Sequence, residues 1–405
     1  MSMSAWFTCT PRRFRGGETF FARDSGLLCR GFQMLGFESK AIMPGPAMEI
    51  DLPDILRVDY SCLESAEWWR SLGIDGLVLY SWGDPRYNRI ARAIRTAGIR
   101  LVVNMDTVGL LSPVLGIGRF YRCMDLTHPL QGWRKWLKRG KQLLMPVRDY
   151  FCIKHLECAD VIGALTPFAS SNLKNYLRFY RKGALADRVQ LVPHAVTTNM
   201  GYEGETKEKR IVVIGRWAPE DRWKKHPEFV VPALARALCE RPDYSAVVVG
   251  AEAKGLEVEF ADLVAKTRGR LSFVEFIPND EIAILLRSSS ISFCASRNES
   301  FHIATAEALC CGCSVVSHDS DSVASMRYFV DEGRSGALAE SYTIEGLAEV
   351  LLEECGQWDA GGRDPRAISR KWTELLHADR VAGKIVELAA RPGRPSARET
   401  GRQAH

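Results

Sequence analysis

The strongest constraint on the fold is a rhythm that runs, stops once and starts again. Short apolar runs alternate with longer stretches of helical periodicity, the pattern of βαβ units and parallel sheets. In the first half the strand candidates are residues 5–9, 76–82, 99–105, 161–165 and 189–192. A polar stretch, 197–209 (TTNMGYEGETKEK), then breaks the pattern and reads as an interdomain linker. The rhythm restarts at Arg210 with RIVVIGRW and continues through YSAVVVGA, LSFVEF, SISFCAS and CSVVSHD. A chain of 405 residues exceeds one ordinary core. Two doubly wound α/β domains are therefore expected, one over 1–200 and one over 207–365. The helical segment 366–390 fits either domain, and the Arg/Pro/Gly/Ser-rich stretch 391–405 is expected to be disordered. Such sheets bind ligands at the carboxyl ends of their strands, so a cleft between the two domains is the expected site.

Composition removes several classes of function. Net charge is +5, and the tail contributes much of it, with Arg391, Arg394, Arg398 and Arg402 against Glu399. The rest is only mildly basic, and no nucleic-acid partner is expected. The twelve cysteines read as scattered, with no C-x-x-C pair and no Cys/His cluster at zinc-ligand spacing. No apolar run precedes Arg12-Arg13 and none approaches the length of a membrane span, so neither a leader nor a spanning helix is expected. The expected location is a reducing cytoplasm, with peripheral contact at the inner membrane face left open. Gly116-Ile117-Gly118 is not a G-x-G-x-x-G, and no Walker loop occurs, which argues against dehydrogenase and NTPase activities.

Residues 296–316, SRNESFHIATAEALCCGCSVV, carry the most chemistry. They follow a buried strand pattern, which places Asn298 to Phe301 at a strand's carboxyl end and opens a helix. Glu299 falls in the loop and Glu307 about two turns along. Carboxylates suit sugar and ribose hydroxyls because each accepts two hydrogen bonds, and charged acceptors make stronger ones. A helix N-terminus favours a nearby phosphate.

With this context the sequence resembles the retaining glycosyltransferases of family four, which have the GT-B fold of two Rossmann-like domains facing across a cleft. Their E-x7-E motif, followed by a small-residue turn and a strand, matches Glu299, Glu307 and EALCCGCSVV. The resemblance implies that Glu299 holds the donor sugar and Glu307 the nucleotide ribose. The segment Ser300, Phe301 and His302 would bring its amides near sugar or phosphate. It extends to Gly215-Arg216 at the first strand end of the second domain and to Lys224-Lys225, placed in a loop before the Pro227 helix. In the family one arginine and one lysine grip the donor diphosphate. Lys225 is favoured over Lys224 because it stands closer to the helix start. Arg15-Gly16-Gly17-Glu18 matches the family's Gly-Gly loop, which would close on the phosphates.

Asn104 and Asp106 fall where the family often has a histidine–aspartate pair, and Asp106 is the acceptor-side candidate. ADVIGALT, LVPHAV and LSFVEFIPNDEIAILLRSS also follow the family pattern. His302 stands where the family usually has glycine, and three roles are open to it: pocket lining, general base, or a side chain turned away.

Two other features compete for attention. Asp319-Ser320-Asp321 is a D-x-D, read as a capped turn rather than a metal site. Between Arg119 and Lys141, Arg122, Arg134, Lys135, Lys138 and Arg139 add to the positive charge against Asp125, while Trp133, Trp136, Leu137 and Leu144 recur at helical spacing. This is either an interfacial helix on anionic lipid or a helix packed by its tryptophans. Gly140, which interrupts the apolar face, favours the second.

The expected activity is transfer of a sugar from a nucleoside diphosphate sugar to a sugar or glycolipid hydroxyl, with retention. No metal and no cofactor besides the donor are expected. Arg216 and Lys225 would stabilise the departing diphosphate, Glu299 orient the sugar and Asp106 serve the acceptor. The alternatives are a GT-B sugar epimerase or phosphorylase, and a catalytically silent nucleotide-sugar-binding partner protein.

Overall fold

The computed structural model describes residues 4–118, 120–121, 132–140 and 145–391. They form two compact units. One takes the described residues up to Thr197 and those from His377 onward; the other runs from Thr198 to Leu376.

The first unit is built on seven parallel strands: β1 (Trp6–Cys9), β2 (Ala41–Pro44), β3 (Ile55–Val58), β4 (Gly76–Tyr80), β5 (Arg100–Met105), β6 (Val161–Ala164) and β7 (Val189–Leu191). Their spatial order is β3-β2-β1-β4-β5-β6-β7. Alternate side chains feed opposite faces of the sheet. Leu77, Leu79, Leu101 and Val103 pack with Ile90, Ile94, Leu156 and Leu173 on one side. Val78, Tyr80 and Val102 pack with Leu28, Phe32, Val381 and Ile385 on the other. Both faces are covered, which is why these strands read as unbroken apolar runs.

The second unit has six parallel strands: β8 (Glu208–Ile214), β9 (Ser245–Val249), β10 (Leu271–Val274), β11 (Ser289–Phe293), β12 (Ser314–His318) and β13 (Gly336–Ala339). Their order is β10-β9-β8-β11-β12-β13. In both units the strand order reverses next to the first strand, at β1/β4 and at β8/β11, and crevices for ligands open at such points.

Strands β2, β3 and β13 were not among the sequence candidates. Each has four residues; β2 ends in Pro44, β3 is only half-buried, and β13 (GALA) has no β-branched side chain. Gly336 lies so close to Val315 (φ +153) that a Cβ would overlap its backbone, so that sequence signal is a missing side chain. The 197–209 stretch is also more than a linker. Glu208 already begins β8. Lys207 is largely buried and donates to the carbonyls of Leu286, Ser289 and Cys311 at 3.1, 2.8 and 2.8 Å. A polar composition hides this role because the ammonium is satisfied by the carbonyls of two helix ends that only the fold brings together.

The segment 366–390 is divided. Helix Pro365–Leu376 packs in the second unit, where Trp372 donates to Ser335 Oγ and Ser369 to the Cys310 carbonyl. Helix Ala378–Ala390 packs in the first, its first residue against Gly31. Cys310 and Cys313 stand at C-x-x-C spacing, a pattern the scattered-thiol reading passes over; both are buried, and burial raises both thiols.

Helix Gly132–Gly140 departs from the favoured expectation, because Trp133, Trp136 and Leu137 are 68%, 71% and 55% exposed. Gly140 weakens the apolar stripe, and the tryptophans are not drawn into the core. Arg119, Arg122, Asp125, Lys141, Leu144, the side chains of Arg134, Lys135, Lys138 and Arg139, and the tail from residue 392 lie outside the described residues. Among the described residues no helix is long and apolar enough to cross a membrane.

Candidate functional site

At the β8/β11 reversal the chain gathers charge. β8 ends at Ile214, and Gly215 continues its ladder by donating to the Val249 carbonyl at 3.0 Å. The following lysines are not in a loop, as expected, but in the last turn of helix Pro219–Lys225. The reason is local. Pro219 opens the helix, Glu220 and Asp221 fill its positive first turn, and Arg222, Lys224 and Lys225 fill its negative last turn. His226, in the left-handed region (φ +51), then separates this helix from Pro227–Glu240.

Glu299 lies beyond the end of β11, with its carboxylate 7% exposed. Lys225 Nζ donates to Oε1 at 2.6 Å and Lys224 Nζ stands 3.1 Å from Oε2. Burial alone would raise the Glu299 pKa, but Lys225, His302 and Lys224 outweigh it and hold the group at about 2. One carboxylate shared by two ammonium groups leaves the cluster net positive. Each ammonium has three donors, so both retain capacity for an anionic ligand.

Hydrogen bonds fix this geometry from three sides. Arg297 N donates to the Lys224 carbonyl at 2.8 Å, Glu299 N to the Ser322 carbonyl at 2.9 Å, and Ser322 Oγ to the Arg297 carbonyl at 2.6 Å. Tyr342 OH donates to the Ala295 carbonyl at 2.7 Å and lies 2.7 Å from His226 Nδ1. The phenol has a single proton, already given to Ala295, so His226 must carry its hydrogen on Nδ1. Tyr342 thereby ties the lysine segment to the glutamate loop. No sequence signal marked this tyrosine, because it arrives from the strand after next.

Helix Ile303–Cys310 starts beside the cluster. His302 precedes it with φ +60 and ψ 80, and its Nδ1 is 2.6 Å from Thr305 Oγ1. Glycine adopts this backbone without strain, which gives a physical reason for a glycine preference here. Burial first, then Lys225 and Lys224, pull the imidazole down to about 3 against the upward pull of Glu299, so it is neutral above mildly acidic pH. The side chain of Phe301 packs edge-on against Phe329 in the core, and Ser300 is half-buried. Glu307 behaves oppositely to Glu299. Part of its surface reaches solvent, yet desolvation pushes its pKa up to about 7. Among the described residues its carboxylate has no hydrogen bond or ion pair.

Arg216 is not drawn into the cluster. Its side chain is 65% exposed and pairs with Asp221 at 3.2 Å. Asp319 and Asp321 both pair with Arg327, the latter at 2.9 Å. Among the described residues no group of three or more His, Cys, Asp or Glu could hold a metal ion.

At the β1/β4 reversal of the first unit lies a cavity of about 590 Å³, lined among others by Arg15, Gly16, Gly17, Arg23, Trp82 and Asp106. Gly17 has φ +95, and a Cβ on Gly16 would overlap the Asp51 carboxylate. That carboxylate forms a nearly buried pair with Arg57 at 2.8 Å, and Arg57 also donates to the Phe14 carbonyl at 2.8 Å. The glycine loop is thus anchored by an ion pair beneath it. Asp106 lies 3.2 Å (Oδ1) from Nε2 of buried His194 and accepts from Trp82 Nε1 at 3.4 Å. Trp82 (φ +53) carries the Arg12 guanidinium 4.3 Å above its ring. Asn104 is buried within β5. The imidazole beside Asp106 comes from His194, after β7, and not from position 104.

Two parallel sheets, each doubly wound and each with polar side chains gathered at its reversal point, define a GT-B protein. Residues 200–354 match the family model described as Glycosyl transferases group 1. The chain is 28% identical over 153 residues to a phosphatidyl-myo-inositol mannosyltransferase of Mycolicibacterium smegmatis, covering 37% of each chain. It is 27% identical over 260 residues to a D-inositol 3-phosphate glycosyltransferase of Streptosporangium roseum, covering 58% of this chain and 57% of that one. The chain thus spans well under two thirds of these curated relatives. Among solved structures, HepE of Anabaena, in complex with UDP and glucose, superimposes with a TM-score of 0.59 at 13% identity over 95% of this chain and 98% of that one. WaaG, a glycosyltransferase involved in lipopolysaccharide biosynthesis, gives 0.57 at 14% over 95% and 100%. These likenesses show the fold.

Proposed function

We propose that the protein transfers a hexosyl group from a nucleoside diphosphate sugar to an acceptor hydroxyl, with retention and without a metal ion. The observation that carries this reading is the net-positive cluster of Lys224, Lys225 and Glu299 at the β8/β11 reversal, with Glu307 along the adjoining helix. As the glycosidic bond breaks, negative charge grows on the departing diphosphate, and preorganised cations in a low-dielectric crevice stabilise it. In this reading Lys225 supplies that charge, with Arg216 turning from Asp221 to join it. Glu299 orients the sugar and Glu307 accepts from the ribose hydroxyls. The departing diphosphate takes the acceptor proton. In the first unit, Gly16 and Gly17 border the phosphates and Asp106 the acceptor, a sugar or glycolipid. Two structural neighbours were solved with UDP and a sugar, glucose in HepE and GlcNAc in the pneumococcal O-GlcNAc transferase GtfA; this supports a nucleotide-sugar donor here. The exposed tryptophans of helix Gly132–Gly140 support peripheral contact with a lipid surface.

The test has two stages. Melting temperatures are measured with UDP-, GDP-, dTDP- and ADP-sugars, since a ligand that binds only the native state raises stability. The stabilising donor is then incubated with and without acceptor alcohols. Nucleoside diphosphate release that requires the acceptor supports transfer; release without one, or no stabilisation by any donor, overturns it.

A further inference from the structure

The first unit carries a second concentration of charge at the amino ends of its strands, opposite the edge that holds the glycine loop. Three successive connections meet there. Arg92 and Arg95 lie on helix Asn88–Thr96, which leads into β5. Lys154 lies near the end of helix Met145–Leu156, which leads into β6. Arg181, Lys182 and Arg188 lie between helix Pro167–Phe179 and β7. Because β5, β6 and β7 are neighbours in the sheet, the six cations line one cavity of about 670 Å³.

Among the described residues the only carboxylate lining it is Glu157, which is shared by Lys154 at 3.0 Å and Lys182 at 2.8 Å. Arg95 and Arg188 each donate to backbone, the carbonyls of Cys158 and Ala159. Arg92 and Arg181 are exposed and form no ion pair among the described residues. Helix C-termini attract cations, which accounts for single residues such as Arg95. It does not account for six converging on a cavity with one counter-charge, since like charges at this spacing repel. An anion that accepts from several guanidinium groups at once removes that repulsion, and phosphate does this with forked hydrogen bonds. Tyr150, exposed on the same helix as Lys154 with that ammonium 5.7 Å from its ring centroid, adds apolar contact near the charge.

We infer that this cavity is a binding site for a phosphate-bearing anion, separate from the sugar-transfer site at the carboxyl ends. The test uses the full chain, its Arg92→Glu/Arg181→Glu variant and a Lys225→Ala control. Pyrophosphate is titrated by calorimetry, and sedimentation is measured with phosphatidylglycerol and with phosphatidylcholine vesicles. The double variant should lose one pyrophosphate site per chain, or weaken it by about tenfold or more, while its circular dichroism and melting temperature stay those of the parent. Lys225→Ala should leave this site intact, so failure here and failure of the transfer site remain distinguishable. Retention on phosphatidylglycerol vesicles that the double variant abolishes assigns the anion to a lipid headgroup. Pyrophosphate binding without vesicle retention assigns it to a soluble phosphate. Unchanged stoichiometry and affinity in the double variant, or no binding to either probe by the parent, overturns the site.

Discussion

The two reversal points share a strand order and differ in how they hold a carboxylate. In the second unit Glu299 is buried between two ammonium groups and is charged at any ordinary pH. In the first, Asp106 lies against an imidazole and an indole, beside an open cavity. The same topology therefore makes one site whose charges are locked in place and one held by weaker, adaptable bonds. In the proposed transfer, a departing diphosphate needs the first kind, because field strength must exist before the bond breaks. Acceptor binding suits the second, where a cavity has to admit a ligand of its own shape.

Removing a member of each site should break this contrast most visibly. Lys225→Ala strips the shorter bond from a buried carboxylate and should lower kcat by about 10²–10³-fold. His194→Ala, which removes the imidazole beside Asp106 Oδ1, should cost about tenfold, mostly in acceptor KM. Steady-state kinetics on both variants decides the matter, and equal losses would erase the distinction. Lys224→Ala should fall between them, since Lys224 is farther from Glu299 and more exposed.

The next effect concerns pH and the contrast between Glu299 and Glu307. Glu307 is pushed up to about 7 by desolvation. A raised folded pKa means the fold prefers the protonated form, so wild type loses stability as pH rises from the ordinary glutamate range through 7. Glu307→Gln should therefore be the more stable protein above pH 7, the two converging in mild acid. Nucleotide affinity of wild type should rise through pH 6–8 as the carboxylate ionises, and that of Glu307→Gln should stay flat. Thermal melts and titrations across that range test both statements.

Legibility in the sequence followed locality. Glu299 and Glu307 could be found because one loop and two helical turns set their spacing, and the lysine pair through the resemblance of its place after Gly215-Arg216, although the contact of Lys225 with Glu299, 74 residues away, could not. His194 and Tyr342 could not, since each reaches its partner from a different crossover, 88 residues from Asp106 in one case and 47 from Ala295 in the other. The opposite ionisation of the two glutamates was equally hidden, because it depends on which neighbours burial brings. The sheets were readable where strands are apolar and long. They were lost at β3, which is half-buried, and at β13, where glycine and alanine carry the strand.

His302→Gly should have a smaller effect, with two parts that oppose each other. Glycine relieves the left-handed backbone by about 1 kcal/mol, and loss of the Thr305 contact returns about as much. Stability should barely move. A histidine pulled down to about 3 is a poor base near neutrality, so turnover should change only a few-fold and the pH–rate profile should keep its limbs. Donor choice should widen if the ring lines the pocket. A loss of about 10²–10⁴-fold would instead make His302 a general base.

The smallest effect expected is none at all, and it bears on whether charge in the second unit comes from side chains or from an ion. Asp319 and Asp321 resemble a metal motif in sequence, but both are paired with Arg327, which cancels half of the charge that would attract a divalent cation. Lys224 and Lys225 already stand beside Glu299, beyond the end of β11, where that charge would be used. Turnover after exhaustive treatment with EDTA should therefore match untreated enzyme within about twofold, and Asp321→Asn, at a half-buried position apart from the lysine cluster, should do the same. If chelation stops turnover and manganese restores it, the lysines do not suffice. Arg327→Ala, which releases both aspartates, would then separate the cases: tighter manganese binding would place the ion at Asp319 and Asp321, and unchanged binding would place it elsewhere.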